Sequence, residues 1–141
     1  MRTPLSTWLT SYAVAAVTYG AVDVAWISTV ANSQYRSQIG HLLAPTPNVA
    51  GAAAFYLVYV VGIVHYGVRP NDPDATVWQR VRGAALFGFL TYATWALTAL
   101  AVLDGFPLVV AVTDMVWGAA VCGLVTLVTA TLLRRTLTTT A

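Results

Sequence analysis

Four long apolar stretches constrain the fold of this chain more than any other feature. A helix that crosses the roughly 30 Å hydrocarbon core of a bilayer needs about 20 predominantly apolar residues. Stretches of this kind run over about residues 8–30, 49–67, 83–103 and 107–133. Prolines and glycines lie between them, where helices readily begin or end. The sequence therefore predicts an all-α integral membrane protein, a four-helix bundle.

The low charge content agrees with this class. Only 9% of the 141 residues are charged and 58% are hydrophobic, whereas an average soluble domain is about 25% charged. This composition excludes a soluble globular domain, a disordered chain and a nucleic-acid-binding protein. The single cysteine, Cys122, excludes an internal disulfide and a thiolate metal cluster. We predict one transmembrane domain over residues 1–141, with a disordered threonine-rich tail at 136–141.

The arginines predict the orientation in the membrane. With four spans, both termini and the 68–82 loop share one side of the bilayer. That side holds Arg2, Arg69, Arg80, Arg82, Arg134 and Arg135. The other side holds only Arg36. Cytoplasmic loops carry an excess of positive charge, so we expect both termini in the cytoplasm and a first span that is retained, since it is too long for a signal peptide.

The segment between the first two spans is predicted to form a short interfacial helix on the outer surface. Tyr35, Ile39, Leu42 and Leu43 recur at three-to-four spacing, which is typical of one apolar helix face. Such a helix lies in the plane of the membrane boundary rather than across the bilayer.

Two features predict which helices pack closely. The loop between the third and fourth spans is very short, so these helices are expected to be antiparallel neighbours. The second and third spans both open with small residues, at 51–54 and 83–85. Small side chains allow helix backbones to approach each other in a membrane.

Two acids lie inside the predicted spans. Asp23 and Asp114 are each seven residues from the outer end of a span, and each is followed three positions later by a tryptophan, Trp26 or Trp117. Residues three apart share a helix face, so each acid and its tryptophan point the same way. An ionisable group at a helix centre costs at least about 2.5 to 3.5 kcal/mol. The spacing predicts both carboxyl groups at one depth, in the outer half of the membrane.

Other spans and the outer loop place aromatic, hydroxyl and basic groups near that depth. The candidate residues for ligand or proton binding are Asp23, Trp26, Arg36, His41, Tyr56, Tyr59, Trp95, Thr98, Asp114 and Trp117. Two readings of this layer stay open: a functional site, because intramembrane acids are functional candidates, or a purely structural set of hydrogen bonds. Arg36 can be interpreted either as an interfacial anchor or as a partner of Asp23. No catalytic residue is assigned, and neither a metal site nor a cofactor motif is predicted.

Six short motifs together resemble a bacterial family of four-span membrane proteins known as domain of unknown function 2177. They are Asp23-Val24-Ala25-Trp26 and the segments at 35–43, 55–62, 82–88, 92–98 and 114–118. The similarity covers about residues 10 to 130. It implies a four-helix protein of the bacterial inner membrane and no established activity.

The third-span motif departs from the family pattern. Relatives typically carry Asp where this chain has Ala96, and Asn where it has Ala99. The family pattern thus resembles three acids at one level, and this chain keeps two. Either this member has diverged or the position was altered, and any mechanism that needs the third acid is in doubt.

Three functional hypotheses follow. The first is binding or transport of a small or hydrophobic ligand at the layer that contains Asp23 and Asp114, with homo-oligomers because four spans are few for a complete pathway. The second is a membrane enzyme for a lipid or isoprenoid substrate, with two carboxyl groups as acid and base. The third is a structural or accessory subunit of a membrane complex. The expected partners are the lipid bilayer and a small-molecule or lipid ligand, and no nucleic acid.

Overall fold

The computed structural model describes residues 3–138, with side chains described as far as residue 134. Five α-helices make up most of this part, and no β-strand occurs within it. In chain order they are α1 (Pro4–Trp26), α2 (Asn32–Ile39), α3 (Val49–Gly62), α4 (Val77–Val102) and α5 (Leu108–Thr138). A π-helical segment at Ile27–Ala31 joins α1 to α2, a second one at Ile63–Val68 continues α3, and a 3₁₀ turn at Gly40–Leu42 follows α2.

Four continuous helical stretches are long and apolar enough to cross a membrane, which confirms the predicted all-α bundle. They are Pro4–Leu42, Val49–Val68, Val77–Val102 and Leu108–Arg134. Each overlaps one predicted span. The third begins several residues earlier than predicted because Thr76 and Gln79 form a capping box, in which the backbone N–H of Gln79 donates to the Thr76 hydroxyl over 3.2 Å.

The tail and the N-terminus fall partly outside the described residues. The backbone of α5 is helical to Thr138, so residues 136–138 of the predicted disordered tail are helical. Residues 139–141 and Arg2 lie outside the described part, as does the side chain of Arg135.

The first helix continues without a break into the predicted interfacial segment. The π-helical turn at Ile27–Ala31 marks the junction, and such turns commonly redirect a helix. Beyond it α2 leans over the start of α5, so that Ile39 is buried in a cluster with Phe106 and Val110. Of the apolar face predicted for this segment, Ile39 is buried and Tyr35 half-buried, whereas Leu42 and Leu43 are exposed.

Helices α4 and α5 form a tight antiparallel hairpin, as the short loop predicts. Their backbones meet at Gly88 and Gly118, where a Cβ on Gly88 would overlap the carbonyl group of Gly118. Only glycine leaves room for this approach. The pair also fixes the register of the hairpin, because it places Tyr92 of α4 level with Asp114 of α5.

The two ends of the bundle differ in how closely the helices pack. We call the end that carries Thr3 and the 69–76 loop the terminal end, and the end that carries residues 40–48 and 103–107 the far end. Near the terminal end, the π-helical segment Ile63–Val68 packs against α1, α4 and α5. Toward the far end, the backbone of α3 approaches only that of α1 among the described helices, and residues 49–55 are exposed.

The small residues that open α3 and α4 therefore behave differently. Ala84 of α4 is buried against Gly67 of the π-helical segment, so the predicted close packing holds there. Residues 51–54 of α3 are exposed and contact no neighbouring helix closely.

Candidate functional site

Asp23 lies at the centre of the contact between α1, α3 and α5. It is 6% exposed. The Tyr56 hydroxyl donates a hydrogen bond to Oδ2 of Asp23. The indole Nε1 of Trp117 donates to Oδ1 over 3.1 Å. Both carboxylate oxygens are therefore held by neutral donors from two other helices.

The two Asp-x-x-Trp motifs meet through their tryptophans. The indole rings of Trp26 and Trp117 stack with centroids 4.2 Å apart and planes within 6° of parallel. Trp117 thus packs on the tryptophan of the first motif and donates a hydrogen bond to its acid. The equal spacing of the two motifs brings together one composite cluster of Asp23, Trp26 and Trp117.

Asp114 has a separate set of partners. It is 5% exposed, and its Oδ2 accepts a hydrogen bond of 2.5 Å from the Tyr35 hydroxyl of α2. Trp95 of α4 lies close enough to interact with both Asp114 and Tyr35. Nearby, the Gln34 side chain donates to the Thr113 hydroxyl over 3.2 Å. These contacts dock α2 onto α5.

The two acids belong to separate sets of contacts. Trp117 of α5 contacts both Asp23 and Trp26 of α1. Asp114, three residues before Trp117 on α5, accepts from Tyr35 of α2 instead. That both carboxyl groups lie at one depth stays a prediction.

A pair of tyrosine hydroxyls lies between the acids. Tyr19, one turn below Asp23 on the buried face of α1, and Tyr92 of α4 have their hydroxyl oxygens 3.0 Å apart. The ring of Tyr92 lies over Gly118, where any Cβ would overlap it. The pair therefore connects the turn of α1 before Asp23 with the turn of α4 that is level with Asp114.

Tyr59 belongs to an aromatic layer below this pair. Its hydroxyl is 2.7 Å from the Thr91 hydroxyl and 3.4 Å from the Cys122 sulfur. Its ring stacks on Phe55 and Phe87, with centroids 5.1 and 5.5 Å away. These rings fill the space between the tilted α3 and the α4–α5 hairpin.

Three predicted site residues lie elsewhere. Arg36 is exposed and donates to the Asn32 side chain over 2.9 Å. His41 is exposed at the far end. The Thr98 hydroxyl donates to the Trp95 carbonyl of its own helix over 3.0 Å. Asp23 and Asp114 therefore have no basic partner among the described side chains.

A groove on the membrane-facing surface leads toward Asp23. It measures about 260 Å³ and lies between α1 and α3. Its lining residues are Tyr12, Ala16, Gly20, Val24, Tyr56, Leu57 and Val60. Gly20 leaves the floor open, because no heavy atom lies within 4 Å of a Cβ built there. Tyr56 lines the groove and bonds to Asp23, so this one side chain links the groove to the acid.

A second cavity, of about 520 Å³, lies at the terminal end beside the 69–76 loop. Arg80 organises its wall. The guanidinium donates to the carbonyls of Val68, Arg69, Asp72 and Ala75. Arg80 therefore stabilises the loop and the end of the π-helical segment.

Comparison with known proteins gives a family and no activity. The family model described as a predicted membrane protein, DUF2177, matches residues 8–131. The chain belongs to the DUF2177 family. No curated protein and no solved structure matches it.

In this DUF2177 protein, the positions where the resemblance suggests further polar residues form an apolar contact. Ala96 and Ala99 are buried together with Ile39 under α2. The Gly88–Gly118 register places Ala96 about one turn nearer the far end than Asp114. Position 96 therefore packs against α2 in this chain and supplies no third acid.

Sequence reasoning did not include three tyrosines of this site. Tyr19 had a detectable signal, because Ser11, Ala15, Tyr19 and Asp23 repeat at four-residue spacing and form the buried face of α1. Tyr92 was placed slightly deeper than the polar layer. Tyr35 was assigned to an apolar helix face, and only the bend after α1 brings its hydroxyl to Asp114.

Proposed function

We propose that this DUF2177 protein binds a hydrophobic ligand with a cationic head group, which reaches Asp23 from the lipid phase through the α1–α3 groove. The observation that carries the proposal is the position of Tyr56. Its side chain lines an apolar surface groove and its hydroxyl holds the carboxylate of a buried acid. Rotation of this one side chain opens a route between lipid and Asp23.

The charge of the site favours a cation. A carboxylate in the membrane interior is costly unless it is protonated or paired. Among the described side chains, Tyr56 and Trp117 are the hydrogen-bond donors to Asp23. A ligand cation that replaces a proton supplies the missing charge. The stacked indoles of Trp26 and Trp117 add a surface that attracts cations.

The groove favours a ligand that is mostly apolar. Its wall consists of aliphatic residues and the faces of two tyrosines. A volume of about 260 Å³ is near the lower limit of small-molecule sites, which span roughly 300 to 1,000 Å³. The groove therefore suits one short chain or one compact hydrophobic cation.

The enzyme hypothesis has less support from the geometry. Acid–base chemistry by two carboxyl groups needs both within reach of one substrate. Asp23 and Asp114 are held by separate donors, Tyr56 with Trp117 and Tyr35 respectively. We also keep the cytoplasmic placement of the terminal end, since Arg69, Arg80, Arg82 and Arg134 lie there among the described residues.

The experiment measures binding of tetraphenylphosphonium, a compact hydrophobic cation, to the purified full-length protein in detergent. Gly20→Leu fills the groove floor without a clash and is expected to weaken binding about tenfold, which corresponds to about 1.4 kcal/mol. Ala21→Leu adds the same side chain to an exposed position outside the groove and leaves binding unchanged. Asp23→Asn removes the charge and abolishes the cation preference.

Equal affinities of wild type, Gly20→Leu and Asp23→Asn would overturn the proposal. Cation flux into proteoliposomes then separates transport from binding alone, and cross-linking in the same vesicles tests the expected homo-oligomer.

A further inference from the structure

Three tyrosine hydroxyls lie in the region of Asp23 and Asp114. Tyr35 donates to Asp114 over 2.5 Å, and the hydroxyls of Tyr92 and Tyr19 are 3.0 Å apart. Tyr19 lies one helical turn from Asp23 on the buried face of α1, and the Gly88–Gly118 contact places Tyr92 level with Asp114. Two of the four links are therefore direct hydrogen bonds, and the Asp23–Tyr19 and Tyr92–Tyr35 pairs are neighbours by helix position.

We infer that Tyr19, Tyr92 and Tyr35 form a proton relay between Asp23 and Asp114. The inference deepens the proposed function, on which it rests: a cation that binds at Asp23 displaces a proton, and the relay carries this proton toward the far end. The partner of Asp114, Tyr35, is on α2, which lies toward the far end of the bundle.

The transfer balances without any other reactant. The Asp23 carboxyl gives its proton to the Tyr19 oxygen while the Tyr19 hydroxyl proton passes to Tyr92. The Tyr92 proton passes to Tyr35, and the Tyr35 proton passes to the Asp114 carboxylate. Each tyrosine ends with one O–H bond, Asp23 becomes a carboxylate and Asp114 a carboxylic acid. One bridging water or a small side-chain rotation is sufficient where two neighbours are not directly hydrogen-bonded.

The packing around Tyr92 supports a positional role for this hydroxyl. Its ring crosses α5 directly over Gly118, at a point that excludes any side chain. This places the hydroxyl between α4 and α1, where it meets Tyr19. Tyr19 itself has no exposed surface. A buried hydroxyl pair is costly unless the two groups are satisfied, and here they satisfy each other.

The test follows exchange of the Asp23 carboxyl proton for deuterium and needs no ligand. Infrared spectra of the full chain in lipid nanodiscs are recorded at an acidic pH at which the carboxylic-acid band is present. The part of the band that disappears in Asp23→Asn belongs to Asp23. After a rapid change to heavy-water buffer, the shift of this part gives the exchange rate.

Tyr19→Phe and Tyr92→Phe each remove one hydroxyl and keep the ring. Each is expected to slow exchange at Asp23 about tenfold, equivalent to about 1.4 kcal/mol in the barrier. Asp114→Asn is expected to slow it as well. Tyr66→Phe is the matched control, because the 58% exposed Tyr66 lies on the π-helical segment, outside the groove and away from the acids, and it leaves the rate unchanged.

Exchange in Tyr19→Phe and Tyr92→Phe that is as fast as in Tyr66→Phe would overturn the relay. Two independent variants keep the test decisive if one of them does not fold. Loss of tetraphenylphosphonium binding in Asp23→Asn, together with unchanged exchange in the phenylalanine variants, would keep the binding function and reject the relay. Slower exchange in the phenylalanine variants, together with tetraphenylphosphonium binding that is unchanged in Asp23→Asn, would reject the binding function alone.

Discussion

The terminal half and the far half of the bundle are built on different principles. In the terminal half, glycine and alanine bring backbones together, as where Gly67 meets Ala84. In the far half, α3 stands away from α4 and α5, and large aromatic side chains fill the space. Asp23 and Asp114 both belong to the second region.

This difference indicates which half of the protein is rigid and which half can bind a ligand. Close contact between backbones depends on shape and leaves no space for a ligand. The acids of the far half are instead held by side-chain hydrogen bonds from tyrosine and tryptophan, which depend on rotatable side chains. The exposed residues 49–55 of α3 make the far half the part that can move without breaking the α4–α5 hairpin.

The largest expected effect lies in the close-packed hairpin. Gly88→Leu forces a side chain into the Gly118 carbonyl group, and overpacking of this kind costs about 3 kcal/mol. Thermal unfolding in detergent is expected to show a much lower midpoint than wild type. Gly20→Leu, where no heavy atom lies within 4 Å of the new Cβ, retains the midpoint. An equally lowered unfolding midpoint in Gly88→Leu and Gly20→Leu would mean that the close backbone contact is no more sensitive to an added side chain than the groove floor.

Arg80 tests the terminal half through its hydrogen bonds. Arg80→Gln leaves the carbonyls of Val68 and Arg69 without their charged donor, and hydrogen bonds to charged groups contribute about 2 kcal/mol. We expect a clear loss of unfolding free energy and faster proteolysis in the 69–76 loop. Arg82→Gln, at an exposed position of the same helix, is the control and changes little. A similar loss of unfolding free energy in Arg80→Gln and Arg82→Gln would mean that the charge, rather than the hydrogen bonds, stabilises the loop.

Tyr35 tests the far half. Tyr35→Phe removes the hydrogen bond to Asp114, and such a loss costs about 1 kcal/mol. Because the contact holds α2 on α5, amide hydrogen exchange is expected to rise in residues 32–39 and to stay constant in α4. Tyr66→Phe, at a 58% exposed ring, is the control. Unchanged exchange in α2 would mean that Ile39 alone docks this helix.

The sequence predicts the class of this fold because the bilayer leaves few choices. Long apolar stretches must be helices there, and the short connection before Pro107 makes α4 and α5 antiparallel neighbours. The site is less predictable, because it depends on which side chains of other helices reach each acid. Asp23 and Asp114 have the same spacing to a tryptophan, but Tyr56 and Trp117 donate to Asp23 and Tyr35 donates to Asp114. Spacing along one span does not predict these partners.

The contact of Tyr35 with Asp114 could not be predicted from the sequence for a similar reason. Its spacing from Ile39 predicts an apolar face, and Ile39 does pack inward. The hydrogen bond from Tyr35 to Asp114 depends on the π-helical turn at Ile27–Ala31. No single residue in that turn is a proline or glycine, so the sequence contains no local signal for it.

The smallest expected effect concerns an exposed acid of the terminal end, Asp72. The hydrogen bond from the Arg69 guanidinium lowers the pKa of Asp72 below its ordinary value. A carboxyl group with a lowered folded-state pKa stabilises the protein above its unfolded-state pKa of about 3.9, and this contribution is lost as the pH falls through the folded-state value. Asp72→Asn should therefore unfold slightly more readily than wild type near pH 7, and the difference should vanish in acid.

Salt sharpens the contrast between this exposed acid and the buried ones. The Arg69–Asp72 pair is in water, so added salt screens it and reduces the difference between wild type and Asp72→Asn. Asp74→Asn removes the same charge from the same loop and serves as the control in both titrations. The effect of Asp23→Asn on cation binding, in the far half, should persist at salt concentrations that abolish the effect of Asp72→Asn on stability. Equal salt sensitivity at both sites would mean that Asp23 is reached by water rather than from lipid, and would contradict access through the α1–α3 groove.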